Sequence, residues 1–225
     1  MQIFDAGNLT AGDFDQILSF LRAGGVIGFP TDTAYGLGAD PFSDSAVRRI
    51  FELKGRSETK PILVLVDSLA MLRQLVAWPD VSESAKTLAQ RFWPGPLTMI
   101  LPALATVPRL VTAGTGTIGV RWPKAPFATS LVRAFGKPLT ATSANKSGQP
   151  STASAAEVRR QLGMDLELLI EIRNEVPNGE SHDSGVLAAP AGSTLLDMSG
   201  RTPKILREGP VSRDALCEAL NGNIQ

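Results

Sequence analysis

The chain has 225 residues, 43% hydrophobic and 20% charged, which supplies apolar material for a full core and argues against a disordered chain. Its 22 Lys and Arg balance 22 Asp and Glu, so no global field draws nucleic acid or an acidic membrane, and a polyanion site must be a local basic patch. One cysteine, Cys217, and one histidine, His182, exclude an internal disulfide framework, a Cys-based zinc site and a multi-histidine cage.

The opening MQIFDAGNLTAGDFDQ carries acids where a signal peptide needs basic and then apolar residues, and no apolar run approaches the ~18 residues of a membrane span. A cytoplasmic location is expected. The first helix is expected from Asp13, as its cap, with Phe14, Ile17, Leu18 and Leu21 at helical spacing and Gly24-Gly25 as its stop. Val26–Phe29 reads as an apolar strand ended by Pro30. Thr31–Asp40, rich in Gly and Thr, reads as a structured loop. Ser45–Leu53 fits a helix with Val47, Ile50 and Phe51 on one face, and Ile62–Val66 is an apolar run expected as a strand buried on both faces. Helices follow at Ser68–Leu75 and Ser82–Phe92, the second opened by Asp80-x-x-Glu83 and ended by Trp93-Pro94-Gly95-Pro96. Leu97–Leu101 and Thr117–Arg121 read as strands, Phe127–Phe135 as a helix, and Leu139–Thr142 as a short strand running into Ser143-Ala144-Asn145. A helix near Ala153–Leu162, strands at Leu168–Ile172, Ser193–Met198 and Lys204–Arg207, and a helix at Ser212–Leu220 complete the chain. Strands and helices alternate without a repeat or a linker. The expected class is therefore α/β, a single domain over 1–225 (core about 10–210) with a twisted mixed β-sheet and flanking helices.

Gly114-Thr115-Gly116-Thr117-Ile118-Gly119 spells G-x-G-x-x-G, but it leads into Val120-Arg121-Trp122-Pro123 rather than a helix, so it is not a dinucleotide fingerprint. Gly136-Lys137 is followed by Pro138, which excludes a P-loop. His182-Asp183-Ser184 holds the letters of a catalytic triad, yet neighbours in sequence cannot stack into a relay, and there is no G-x-S-x-G elbow. Lys54-Gly55-Arg56-Ser57-Glu58-Thr59-Lys60 sets three cations between a helix and a buried strand. They form either a local anion site or ordinary cations favoured at a helix C-terminus. Ser143–Thr152, after a strand and before a helix, suits a phosphate or the polar edge of a nucleotide, and also suits a plain capped loop.

Taken together and in order, FPTDTAYGLGAD (Phe29–Asp40), KGRSETKP (Lys54–Pro61), FWPGPLT (Phe92–Thr98), GVRWP (Gly119–Pro123) and TSANKSGQPS (Thr142–Ser151) resemble the threonylcarbamoyl-AMP synthase family, the YrdC-type domain. STLLD (Ser193–Asp197) and ILREGP (Ile205–Pro210) extend the resemblance over nearly the whole chain. It implies a YrdC-like fold around a large concave basic cavity and a nucleotidyltransferase that forms L-threonylcarbamoyladenylate and pyrophosphate from L-threonine, bicarbonate and ATP. It also implies Mg²⁺ carried on the ATP phosphates, double-stranded RNA binding, and partner proteins that place the threonylcarbamoyl group on tRNA beside the anticodon. By resemblance, Thr33, Arg121, Ala141 and Ser193 contact threonine. Lys54, Arg56, Lys60, Thr117, Ser143, Asn145, Ser151 and Arg207 surround ATP, with Lys54 and Arg56 as the catalytic cations and no metal ligand from a protein side chain.

The chain departs from the family pattern at Asp32, where many relatives carry Glu, at Leu65, where some carry His, at Thr142 for a common Pro, and at Gly192 for an acid. It stops soon after the Arg207 motif, so the short form without an extra C-terminal domain is expected, with Gly179–Gly192 as the candidate cover of the site. The competing reading from the residues is an RNA-binding module without catalysis. Neutral net charge and the lack of an aromatic stacking platform argue against it. A carbamoyl-AMP-forming domain of the hydrogenase-maturation kind would come with acylphosphatase and Cys-rich modules that this chain has no room for.

Overall fold

A computed structural model describes residues 1–172, 192–222 and 224. In chain order the elements begin with β1 (Gln2–Asp5), α1 (Ala11–Arg22), β2 (Ile27–Phe29), β3 (Gly36–Gly38), α2 (Asp44–Lys54), β4 (Val64–Leu65) and α3 (Leu69–Leu72). After a 3₁₀ turn at Trp78–Asp80 come α4 (Glu83–Phe92), β5 (Leu97–Pro102), α5 (Arg109–Thr112), β6 (Thr117–Arg121), α6 (Pro126–Phe135), β7 (Leu139–Thr140) and β8 (Thr142–Ser143). The last described elements are α7 (Ala155–Leu162), β9 (Leu168–Glu171), β10 (Thr194–Asp197), β11 (Lys204–Arg207) and α8 (Arg213–Leu220).

The α/β class stands, but the strands divide between two mixed sheets rather than forming one. The first runs β1-β9-β2-β3-β8 and the second β11-β10-β5-β6-β4-β7. Both feed one continuous apolar core, in which Ile17 and Leu21 of α1, Phe29 of β2 and Val120 of β6 are fully buried. Thr140 joins the sheets. Its hydroxyl accepts from the Ala39 amide at 2.8 Å and donates to Leu37 O at 3.0 Å, while its own amide donates to Ala39 O.

The expected strand Leu139–Thr142 is in fact split by this join. Leu139 and Thr140 pair with β4 in the second sheet, and Thr142 and Ser143 pair with β3 in the first, so Ala141 is the crossing residue. β3 itself lies inside the stretch expected as loop. Its glycines make the close pairing feasible, since a Cβ on Gly38 would sit 2.9 Å from the Phe29 ring.

Helix starts follow capping chemistry with two corrections. Thr10, not Asp13, caps α1, and Asp13 is the reciprocal partner three residues in, its carboxylate accepting from the Thr10 amide at 3.0 Å. Ser82 caps α4 by accepting from the Ala85 amide, because Asp80 is taken up in the preceding 3₁₀ turn. The Ile62–Val66 run is buried at Ile62, Val64, Leu65 and Val66 as expected, but pairing is confined to Val64–Leu65, with the Ile62 amide turned to Val111 O. The Gly114–Gly119 segment leads into strand β6, which agrees with the rejection of a dinucleotide site. His182-Asp183-Ser184 and all of Gly179–Gly192 except Gly192 lie outside the described residues.

Candidate active site

The second sheet presents one face to a cavity of about 500 Å³. Side chains two apart on a strand share a face, and the register sets them in rows. Leu195 and Thr98 face one another across β10 and β5, and Arg121 ends β6 two residues past Gly119. Asp197, Ile100 and Gly119 form a row, with Thr117 beyond Gly119. At the β10–β11 edge the register slips, so that Leu195 faces Arg207 while Leu196 faces Ile205. The extra residue is Leu206, and this bulge lets consecutive residues, Leu206 and Arg207, both line the cavity. The opposite walls come from the Thr31–Tyr35 loop and from the crossing strand at Ala141, Thr142 and Ser143, with Ser151 nearby.

Of the twelve residues expected at the site, the cavity brings together nine: Thr33, Arg56, Thr117, Arg121, Ala141, Ser143, Ser151, Ser193 and Arg207. The other three stand elsewhere. Lys60 is exposed. Lys54, 2% exposed at the end of α2, is not among the lining residues. Its ammonium donates to Ser143 O and to Asn145 O (2.9 Å) and Oδ1 (3.3 Å). Asn145 is likewise buried, and its amide nitrogen donates to Gln149 O and Lys146 O. Lys54 and Asn145 therefore hold the Ser143–Gln149 loop in shape. Gly55, at φ 57° behind Lys54, ends α2 so that the lysine meets this loop.

Arg121 is 2% exposed and anchored on three sides. Its Nε donates to Gly95 O at 3.0 Å, Nη1 donates to Thr33 Oγ1 at 2.6 Å, and Nη2 is in ion-pair contact with Asp32. Thr31 Oγ1 lies 3.3 Å from Thr33 Oγ1 and donates to Ala34 O, which continues the polar chain into the loop. Arg56 donates to Thr142 Oγ1 and Pro61 O. Arg207 donates through Nε and Nη2 to Ser193 O, and Ser193 Oγ lies 2.6 Å from Thr98 Oγ1. Gly192, at φ 78°, packs directly on Arg207, where a Cβ would approach the guanidinium carbon to 3.1 Å.

Desolvation lowers all three arginine pKa values. The Arg121 charge lowers Arg207 further, while Asp32 partly restores Arg121. Arginine stays protonated regardless, so the cavity holds cations whose field favours anionic ligands. Asp197 is the single carboxylate lining it among the described residues, and its Oδ1 accepts from the Ser199 amide and hydroxyl.

Thr98 and Asp197 were missed by sequence reasoning. Thr98 had a signal, being the one polar residue in the apolar run Leu97–Leu101. Asp197 ends the STLLD stretch and carries no sequence signal of its own.

The Sua5/YciO/YrdC family, described under telomere recombination, matches residues 19–209. A threonylcarbamoyl-AMP synthase of Pyrococcus abyssi is 38% identical over 206 residues, covering 92% of this chain and 56% of that protein. The Bacillus subtilis threonylcarbamoyl-AMP synthase is 37% identical over 211 residues, covering 93% and 56%. This chain thus spans a little over half the length of both. The crystal structure of P. abyssi Sua5 complexed with L-threonine superposes with a TM-score of 0.86 at 33% identity, over 100% of this chain and 63% of that one.

Proposed function

Because the chain belongs to the Sua5/YciO/YrdC family, we propose that it is an L-threonylcarbamoyladenylate synthase, joining L-threonine, bicarbonate and ATP with release of pyrophosphate. The observation that carries this reading is the gathering of nine expected residues, three of them arginines, around one cavity. The relatives named as threonylcarbamoyl-AMP synthases and the threonine complex of P. abyssi Sua5 support it.

In this reading the threonine carboxylate takes the guanidinium N–H groups of Arg121 that its three protein contacts leave over, beside the Thr33 and Ser193 hydroxyls. The neutral amine attacks bicarbonate carbon and expels water, giving N-carboxythreonine. Its new carboxylate attacks the α-phosphorus in line, the bond to the bridging oxygen breaks, and pyrophosphate departs. Such a step needs positioning and fixed cations rather than a protein nucleophile. Arg56 and Arg207 supply those cations, and Ser143, Ser151 and Thr117 supply hydroxyls toward the nucleotide. Lys54 and Asn145 act through the Ser143–Gln149 loop, as positioning residues, and Lys60 stays peripheral.

Among the described residues no cluster of three or more His, Cys, Asp or Glu could cage a metal. Mg²⁺ would arrive on the ATP phosphates and neutralise part of their charge. The acyl-adenylate would pass to partner proteins that modify tRNA in the cytoplasm. No helix among the described residues is long and apolar enough to cross a membrane. An RNA-binding module without catalysis is not favoured.

The test is incubation of the protein with ATP, Mg²⁺, bicarbonate and L-threonine, reading pyrophosphate and the acyl-adenylate. Product that requires both threonine and bicarbonate supports the synthase. No product, with neither ATP nor threonine bound, overturns it.

A further inference from the structure

Three arginines line one cavity, and they are not equivalent. Arg121 carries its own counter-charge, the Asp32 carboxylate in ion-pair contact with Nη2. Arg56 and Arg207 hydrogen-bond to neutral oxygens of Thr142, Pro61 and Ser193, and among the described residues neither has a carboxylate partner. Arg56 Nε is buried without an acceptor there.

The reaction proposed above brings a monoanionic amino-acid carboxylate and a polyphosphate into the same space. A polyphosphate settles where positive potential is highest. Arg121 is the most deeply buried of the three arginines, so its charge is the least screened by water. Left alone, it would be the strongest phosphate site in the cavity, and pyrophosphate would displace the amino acid from it. Asp32 removes that advantage. The pair is close to neutral from a distance, so it exerts little pull on a multiply charged ion, and the Asp32 carboxylate repels a second negative charge beside it. The remaining N–H groups of the fixed guanidinium still offer directional bonds to a single carboxylate.

We propose that Asp32 is a specificity-determining residue that sorts the two anionic substrates, reserving Arg121 for the amino-acid carboxylate and leaving Arg56 and Arg207 to the phosphates. Asp32 acts through Arg121 and is a positioning residue rather than a catalytic one. The inference rests on the reading of the cavity as the place where an amino acid meets a nucleotide.

The experiment is calorimetric titration of inorganic pyrophosphate, with and without L-threonine, into the wild-type chain, Asp32→Asn and Asp32→Glu. The wild type is expected to bind one pyrophosphate that threonine does not displace. Asp32→Asn is expected to bind a second, which competes with threonine and weakens its apparent affinity at least about tenfold, the scale of one charge-assisted bond. Asp32→Glu keeps the charge and is expected to behave as wild type. Pyrophosphate binding by Asp32→Asn with wild-type stoichiometry and no competition with threonine overturns the inference.

Arg121→Gln gives a decision that does not depend on Asp32→Asn folding. It should lose threonine and keep wild-type pyrophosphate affinity, and a parallel loss of both would show that the cations are not sorted. If the wild type binds no threonine, the synthase reading fails, while the pyrophosphate stoichiometries still decide whether Asp32 keeps phosphate from Arg121.

Discussion

Replacing Lys54 by methionine keeps the aliphatic stem and deletes a buried ammonium. The deletion removes the contacts to Ser143 O and Asn145 O. Bonds from a charged donor contribute ~1.5–3 kcal/mol each, roughly 3–6 kcal/mol for the two. Against this stands the cost of desolvating the ammonium, since burial and then the nearby Arg56 charge push Lys54 from 10.5 down to about 7. That shift, ~5 kcal/mol at ~1.36 kcal/mol per pH unit, is what remains once those bonds are counted. Lys54→Met should therefore be no less stable than wild type in urea denaturation at about pH 6, where the ammonium is mostly charged. Activity should respond differently. Without the ammonium the Ser143–Gln149 loop loses its tie to α2, and Ser143 lines the cavity. Pyrophosphate release at saturating threonine and bicarbonate should fall at least ~10-fold, with the loss expressed against ATP. Wild-type kcat/KM for ATP would refute the positioning role. Loss of most of the stability would show instead that Lys54 is a structural strut.

The same lysine predicts a pH dependence. Its folded value near 7 lies below the unfolded 10.5, so between them the unfolded chain binds more protons and stability rises with pH, by up to ~1.36 kcal/mol per pH unit. Below the folded value both states are charged and this contribution is flat, so wild type minus Lys54→Met, measured in urea from about pH 6 to 9, should slope upward only above 7. Parallel curves would refute it. Arg207→Met should weaken pyrophosphate binding about tenfold or more by calorimetry and leave stability nearly unchanged, because the side chain sits on the edge strand β11. Equal affinity would remove Arg207 from the phosphate site. Thr140→Val should cost ~1–3 kcal/mol by thermal or urea unfolding, because the buried Ala39 amide loses its acceptor at the junction of the sheets. An unchanged midpoint would show that the junction does not depend on this hydroxyl.

Where local chemistry decides the backbone, the sequence by itself determined the outcome. Thr117–Arg121 and Lys204–Arg207 are strands at the expected residues. The last helix starts at Ser212 as expected, its hydroxyl accepting the amide three residues on. Nine of the twelve expected site residues line the cavity because the motifs sit at strand ends and on the loops that face it.

Tertiary structure alone decided the rest, since each case turns on a partner distant in sequence. β1 exists because it pairs in parallel with β9, more than 160 residues on. β3 is glycine-rich and reads as loop until Phe29 and β8 are packed beside it. The split at Ala141 needs two different neighbours, β4 on one side and β3 on the other. Lys54 looks like a phosphate ligand in a row of cations, and only the fold turns its ammonium onto the Ser143 and Asn145 carbonyls. The pairing of Asp32 with Arg121 is of the same kind. An acid and an arginine 89 positions apart carry no local signal of one another until β6 and the Thr31–Tyr35 loop bring them together.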